Sequence, residues 1–259
     1  MSANPLLVTD SGSALSSCSR EKPALALIIP ALREAANLRP LMQRVRPSLD
    51  SLGIPYEVII VDDDSRDGTD AIVAELSEED ERVRLITRTG VRGLSGAVMH
   101  GWQNTTAEVL AVMDSDLQHP PELLPQLWRI LQNGADLVVG SRYVGEASLR
   151  GWNVFRHLVS QLAIWATWPL QRPGIFVHDP MSGFFFVRRS CIGGLAVQPQ
   201  GFKVLLEILV RGDIHTAVEV PFTFGRRHAG FSKAGVAVAA AYLKLLARLV
   251  KFRLSEKRN

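Results

Sequence analysis

The sequence predicts an α/β fold built on a mostly parallel sheet. Three observations predict it. Apolar, strand-like runs alternate with helical spacings about five times between residues 24 and 140. Those runs are too uniformly apolar for a sheet with one wet face. Two of them end on acidic clusters, Asp62-Asp63-Asp64 and Asp114-Ser115-Asp116. In a parallel sheet the carboxyl ends of the strands share one edge, where open α/β sheets bind ligands, so the two clusters can meet in one pocket.

The elements follow in order. Ala24 to Ile29 is an apolar strand ending at Pro30. Glu34 to Leu52 has helical spacing at Leu38, Leu41, Met42, Val45 and Leu49, with interruptions expected near Pro40 and Pro47. Glu57 to Val61 is a second strand, and Thr69 to Leu76 a helix that Asp67 or Thr69 can cap. Val83 to Thr87 is a third strand, followed by a glycine-rich loop and a helix from about Ser95 to Asn104. Val109 to Met113 is the fourth strand, Pro121 to Gln132 a helix with proline at its start, and Asp136 to Gly140 a fifth strand. The loop Gly90-Val91-Arg92-Gly93-Leu94-Ser95-Gly96 lacks the GxGxxG spacing of a dinucleotide fingerprint and reads as a tight turn.

After residue 142 the pattern changes. Leu158 to Leu170 is apolar and holds Trp165 and Trp168; it is too short to span a membrane and fits a buried or interfacial helix. Ala237 to Phe252 is amphipathic, with Lys244, Arg248 and Lys251 on one face and Leu243, Leu246 and Leu249 off it. Such a helix can lie in a membrane interface, or pack on its own core with a solvated charged face.

At 259 residues the chain can bury a full core, and its 47% hydrophobic, 21% charged composition is that of a globular protein. Two distant cysteines, Cys18 and Cys191, and six scattered histidines argue against a disulfide scaffold or structural zinc. The net charge of +3 hides an asymmetry: from Arg226 onward nine Lys or Arg stand against Glu256, net +8, leaving 20 basic and 25 acidic residues before it, net −5. A basic tail on an acidic body predicts an anionic partner at that end. No aromatic platform for bases interleaves those charges, so nucleic acid is not expected. Met1 to Pro23 is polar and serine-rich, without the pattern of a signal peptide, and no stretch reaches the length of a membrane span. The expected organisation is a disordered leader (1–23), an α/β domain (24–233) and a basic amphipathic helix (234–259), on the cytosolic side.

Asp114 and Asp116 carry the chemical signal. Paired carboxylates at a strand end suit a hard divalent cation, which takes one or two carboxylates, waters and substrate phosphates. A cation so held typically serves a diphosphate, so a nucleotide-linked substrate is expected. Taken alone, Asp-x-Asp also describes an ordinary acidic turn; its coincidence with the Asp62 cluster favours the site.

These residues together resemble the dolichyl-phosphate (polyprenyl-phosphate) mannosyltransferases of glycosyltransferase family 2, over about Ala24 to Lys244. The segments that carry the resemblance are Val61–Thr69, Arg92–Gly96, Met113–Pro121, Gly140–Tyr143, Asp179–Phe184, Gly201–Glu207 and Val220–Gly225 with Ser232-Lys233. The resemblance implies a GT-A (Rossmann-like) fold with Mg2+ or Mn2+ bridging protein and sugar nucleotide. It implies donor contacts at Pro30, Leu32, Glu34, Val61, Asp63, Asp114, Ser115, Asp116, Arg227 and Lys233, metal ligation by Asp116 and Gln118, and a cradle for the lipid phosphate at Arg142, Arg156 and Ser160. Asp114, Asp116 and Arg142 are the expected catalytic set. Two departures stand out. The family's Pro-Thr-Tyr-Asn-Glu is here Pro30-Ala31-Leu32-Arg33-Glu34, losing an aromatic donor contact at Leu32, and the loop between Arg227 and Lys233 has Ala229 and Phe231 in place of Arg and Glu.

The function so implied is metal-dependent, inverting transfer of mannose from GDP-mannose to dolichyl or polyprenyl phosphate at a membrane surface, with a membrane-anchoring partner protein as a further expectation. The competing readings are a UDP-glucose:polyprenyl-phosphate glucosyltransferase and, in another class, a non-catalytic module docking on anionic membranes.

Overall fold

The computed structural model describes residues 21–90, 92–144, 164–195, 203–225 and 236–256. Seven strands form one sheet: β1 (Leu25–Ala31), β2 (Tyr56–Asp62), β3 (Val83–Thr87), β4 (Val109–Val112), β5 (Leu137–Ser141), β6 (Phe185–Arg188) and β7 (Ala217–Pro221). Their order across the sheet is β3-β2-β1-β4-β6-β5-β7. The pairs β1·β2, β2·β3, β1·β4 and β5·β7 are parallel, and β6 runs antiparallel between β4 and β5.

The two faces of the sheet follow from the period of two along each strand. On β1, Leu25, Leu27 and Ile29 join the core under α1 (Ala35–Asp50), α2 (Thr69–Glu79) and α4 (Leu124–Gln132). Ala26 and Ile28 point the other way, under α3 (Leu94–Gln103) and α5 (Val204–Arg211). Both faces are covered, which is why the strands carry no polar alternation.

The five strands expected before residue 142 are present, with bounds shifted by one or two residues. The expected interruptions at Pro40 and Pro47 do not occur: both lie inside the continuous helix α1. Each proline costs the helix about 3 kcal/mol. Against that, Leu38, Leu41, Met42, Val45 and Leu49 are fully buried, at about 1.5–3 kcal/mol each, so packing wins. Of the two candidate caps for α2, Asp67 takes the role: its carboxylate accepts from the Thr69 N–H and hydroxyl, and its other oxygen accepts from the Ala35 N–H at the start of α1.

Strand-helix alternation does not announce β6. In it Phe184 and Phe186 face one core and Phe185 and Val187 the other. Gly140 on β5 makes room, since a Cβ there would lie 2.6 Å from the Phe184 ring.

The last helix, α6 (Val236–Glu256), packs on α5 and on the turn Trp168–Leu170. Its inner side is Leu245 and Leu249, with Tyr242, Leu246 and Phe252 partly buried. The sequence grouping of its charges changes accordingly. Arg248 turns inward and donates to the buried carboxylate of Glu207 at 2.8 Å, while Lys244 and Lys251 stay exposed and Leu243 faces out. No helix among the described residues is long and apolar enough to cross a membrane. Residues 1–20 of the expected leader, and 158–163 of the expected interfacial helix, lie outside the described residues.

Candidate active site

The chain runs outward from β1 to β2 and β3, then crosses back to β4 on the other side of β1. That reversal opens a crevice at the carboxyl ends of β1 and β4. The Ser115 hydroxyl spans it, donating to the Pro30 carbonyl at 3.2 Å. All four non-glycine residues with positive φ among the described residues follow strand ends at this edge: Arg33 after β1, Asp64 and Arg66 after β2, Leu117 after β4. Backbone of this kind costs energy and concentrates at functional sites.

The two acidic clusters do reach the same edge, with different tasks. Asp62 holds its own loop, accepting from the N–H and hydroxyl of Ser65. Asp63 accepts from Arg88 at 2.6 Å and from the Gly93 N–H at 2.7 Å, tying the loop after β2 to the glycine-rich loop before α3. Val61 packs in the core beneath α3. Glu34 caps its own turn, receiving the Asn37 amide at 2.5 Å.

Beyond β4, Asp116 accepts the Gln118 N–H at 3.1 Å in a tight turn. The Gln118 side-chain nitrogen donates to the Gly225 carbonyl at 3.1 Å, fixing that side chain against the segment after β7. The Asp114 N–H donates to His119 Nδ1 at 3.2 Å, so this nitrogen carries no proton. The His119 ring stacks on Phe184 at 5.2 Å and meets Phe222 and Phe224 edge-on. Burial pushes His119 down to about 4, against the opposing charge of Asp116.

That depression has a pH consequence. In the unfolded chain His119 binds its proton near pH 6.5, in the folded protein only near 4, so the unfolded state holds more protons between these values. Stability is therefore fully present above 6.5 and falls as pH drops through the window, by an amount on the order of 3 kcal/mol. Urea midpoints across that range are expected to decline more steeply for the wild type than for His119→Asn.

Facing Asp114 is a buried charge group that sequence patterns do not reveal. Arg142 forks onto Asp179 with two 2.7 Å bonds, and its backbone N–H adds a third at 3.1 Å. Burial alone would weaken the Arg142 guanidinium, but hydrogen bonds and charge from Asp179 outweigh it and hold it above its ordinary value. Lys203, at the start of α5, donates to the Met181 carbonyl at 3.4 Å. Burial and the Arg142 charge lower it, while Asp114 and Asp179 raise it. Asp179 and Lys203 each stand in a segment that carries the resemblance, yet the sequence assigns neither a role, and His119 does not stand out among six scattered histidines. Arg156, Ser160, Arg227 and Lys233 lie outside the described residues.

Gly183 sets the position of Asp114: a Cβ there would lie 2.7 Å from both carboxylate oxygens. Gly183→Ala is expected to displace Asp114 and lower turnover on the order of a hundredfold, the scale of a 1 Å misplacement, with a melting temperature near that of the wild type.

The donor atoms offered here are oxygens: the carboxylates of Asp114 and Asp116 and the Gln118 side-chain carbonyl. Among the described residues no group of three or more His, Cys, Asp or Glu could hold a metal ion. That set fits a hard cation completing its shell with water and diphosphate oxygens, and does not fit a zinc site closed by protein alone.

The model of the family described as "Glycosyl transferase family 2" matches residues 26–194. The dolichol-phosphate mannosyltransferase of Pyrococcus furiosus is 42% identical over 88% of this chain and 64% of its own length; the chain thus spans under two thirds of that relative. Those of Mycosarcoma maydis and Saccharomyces cerevisiae are 40% and 36% identical, over 89% and 88% of this chain and 80% and 87% of theirs. Among solved structures, Mycobacterium tuberculosis glucosyl-3-phosphoglycerate synthase in complex with Mn2+ and UDP-glucose superposes with a TM-score of 0.65 at 21% identity, covering 88% of this chain and 78% of that one. Mannosyl-3-phosphoglycerate synthase from Rubrobacter xylanophilus gives 0.64 at 14% identity, covering 91% and 75%. The likeness to these structures is one of fold, and it agrees with the expected GT-A arrangement. This chain belongs to glycosyl transferase family 2.

Proposed function

We propose that this family 2 glycosyltransferase moves mannose from GDP-mannose to a dolichyl or polyprenyl phosphate, with inversion at the sugar carbon, at the cytosolic face of a membrane. The observation that carries the reading is the juxtaposition, at one sheet edge, of Asp114 and Asp116 with the buried Arg142–Asp179 pair and Lys203. The names of the three mannosyltransferase relatives supply the sugar and the lipid.

Asp116 and Gln118 would hold Mg2+ or Mn2+, which supplies charge neutralisation for the departing nucleoside diphosphate. The loops after β1, β2 and β4 would seat the nucleotide: Pro30, Leu32, Glu34, Val61, Asp63 and Ser115 line that path, with Arg227 and Lys233 closing over the donor. Hydrogen-bond geometry held ready before the reaction is the main source of such stabilisation. On the acceptor side, Arg142 presents a guanidinium already oriented by Asp179, with Arg156 and Ser160 completing the cradle. A fork of this kind suits phosphate oxygens. The acceptor is a phosphate monoester with a second pKa near 6, so it arrives ionised and no side chain need take its proton. Direct attack on the face opposite the diphosphate gives inversion.

Purified protein incubated with polyprenyl phosphate, a divalent cation and a panel of radiolabelled sugar nucleotides tests this. Label moving to lipid from GDP-mannose is the expected result. Label moving from UDP-glucose instead would reassign the donor, and no transfer from any donor, with or without a membrane-anchoring partner, would sink the reading.

A further inference from the structure

Two exposed apolar features lie outside the site, and they meet. The first is aromatic: Trp165 (50% exposed), Trp168 and Phe176 (49% exposed) touch one another with ring centroids 6.2 and 5.1 Å apart. The second is the outer side of α6. There Ala240, Leu243, Ala247, Val250 and Leu254 are all exposed at helical spacing, Leu243 by 65%, and Lys244 and Lys251 flank them. The two are joined at Leu170, which follows Trp168 in the same turn: its side chain packs with Leu245 and Leu249, and its carbonyl accepts from Arg253 at 2.9 Å. The opposite side of the helix is clamped by the Arg248–Glu207 pair, so the outer stripe is held in a fixed orientation.

An apolar stripe with its cations along one margin, beside a tryptophan pair, has the chemistry of an interfacial helix: the apolar side chains and indoles enter the acyl boundary and lysines reach the headgroups. We propose that this composite face docks on an anionic lipid bilayer and sets the height of the active site above it. Continuity with the site supports this. The patch extends from Phe176 to the His178 ring, 4.8 Å away, and the next residue is Asp179, which fixes Arg142. Glu219 secures that step, accepting from His178 and from the Asp179 N–H. Three residues of extended chain span about 10 Å, so docking brings Arg142 to the depth at which a lipid-borne phosphate emerges. The inference rests on the acceptor being lipid-borne; the docking step itself is measured without substrate.

The full chain is mixed with phosphatidylcholine vesicles, with and without phosphatidylglycerol, and followed by co-sedimentation and by the blue shift of tryptophan emission. Binding is expected to be stronger to the anionic vesicles. Trp165→Ser with Trp168→Ser should lower partition to both at least tenfold, and Lys244→Glu with Lys251→Glu should abolish the anionic preference. Transfer to a short, water-soluble prenyl phosphate should be unchanged in both variants. Partition unaffected by either pair of substitutions overturns the proposal. So does a dimer that the tryptophan variant dissolves, in protein that binds no vesicle. Loss of transfer with vesicle binding retained would count against the transferase reading alone.

Discussion

Asp116→Ala is expected to lower sugar transfer a thousandfold or more while leaving the fold in place. The two halves of this expectation have separate causes. Structurally, the Asp116 side chain is buried and supports a two-residue turn, receiving the Gln118 N–H. Losing one such bond costs about 1 kcal/mol, so circular dichroism and the melting temperature should change little. Chemically, Asp116 is the carboxylate best placed beside Gln118 to hold a cation, and a bound cation contributes several kcal/mol to the stabilisation of developing diphosphate charge. About 4 kcal/mol corresponds to three orders of magnitude in rate. Asp116→Asn separates the two contributions, since its amide oxygen can still receive the turn N–H but brings no charge. It should match the wild type in stability and Asp116→Ala in activity. Wild-type turnover by Asp116→Ala with Mg2+ or Mn2+ present would remove the metal assignment.

The acidic pair is legible in the sequence because its signal is local: an apolar run, a strand end and two carboxylates lie within eight residues. The same holds for β1 to β5, whose uniform burial shows directly as uniform hydrophobicity. What escapes depends on partners distant in sequence. Asp179 becomes a site residue only because an antiparallel strand, β6, is inserted between β4 and β5 and returns its preceding loop to Arg142, 37 positions earlier. Lys203 needs the helix that follows. In α6 the periodicity tells which residues share a face, but leucines lie on both sides, so it does not tell which face is buried. The answer comes from Glu207: its buried carboxylate draws Arg248 inward and thereby turns Leu243 outward. Histidine count says nothing about His119, whose role follows from one N–H 3.2 Å away and three aromatic rings around it.

Asp179→Ala should destabilise the fold more than Asp116→Ala, Gly183→Ala or His119→Asn, by about 3–5 kcal/mol, because it strips the counter-charge from a buried guanidinium. The geometry leaves Arg142 no comparable replacement. Both bonds of its fork, and its backbone N–H, end on the two oxygens of a carboxylate with no exposure to solvent. Lys203 close by makes the uncompensated charge worse, since each cation disfavours the other. The cost is that of leaving a charge unpaired, not the net worth of the pair, and a double substitution tells these apart. Asp179→Ala with Arg142→Met removes both charges, and its urea midpoint is expected to recover more than half of the single variant's loss. Transfer should not recover with it, because the guanidinium offered to the acceptor phosphate is gone. A double variant as unstable as the single one would mean that Asp179 supports its loop through some other contact. Recovery of activity along with stability would mean that the phosphate cradle lies elsewhere than at Arg142.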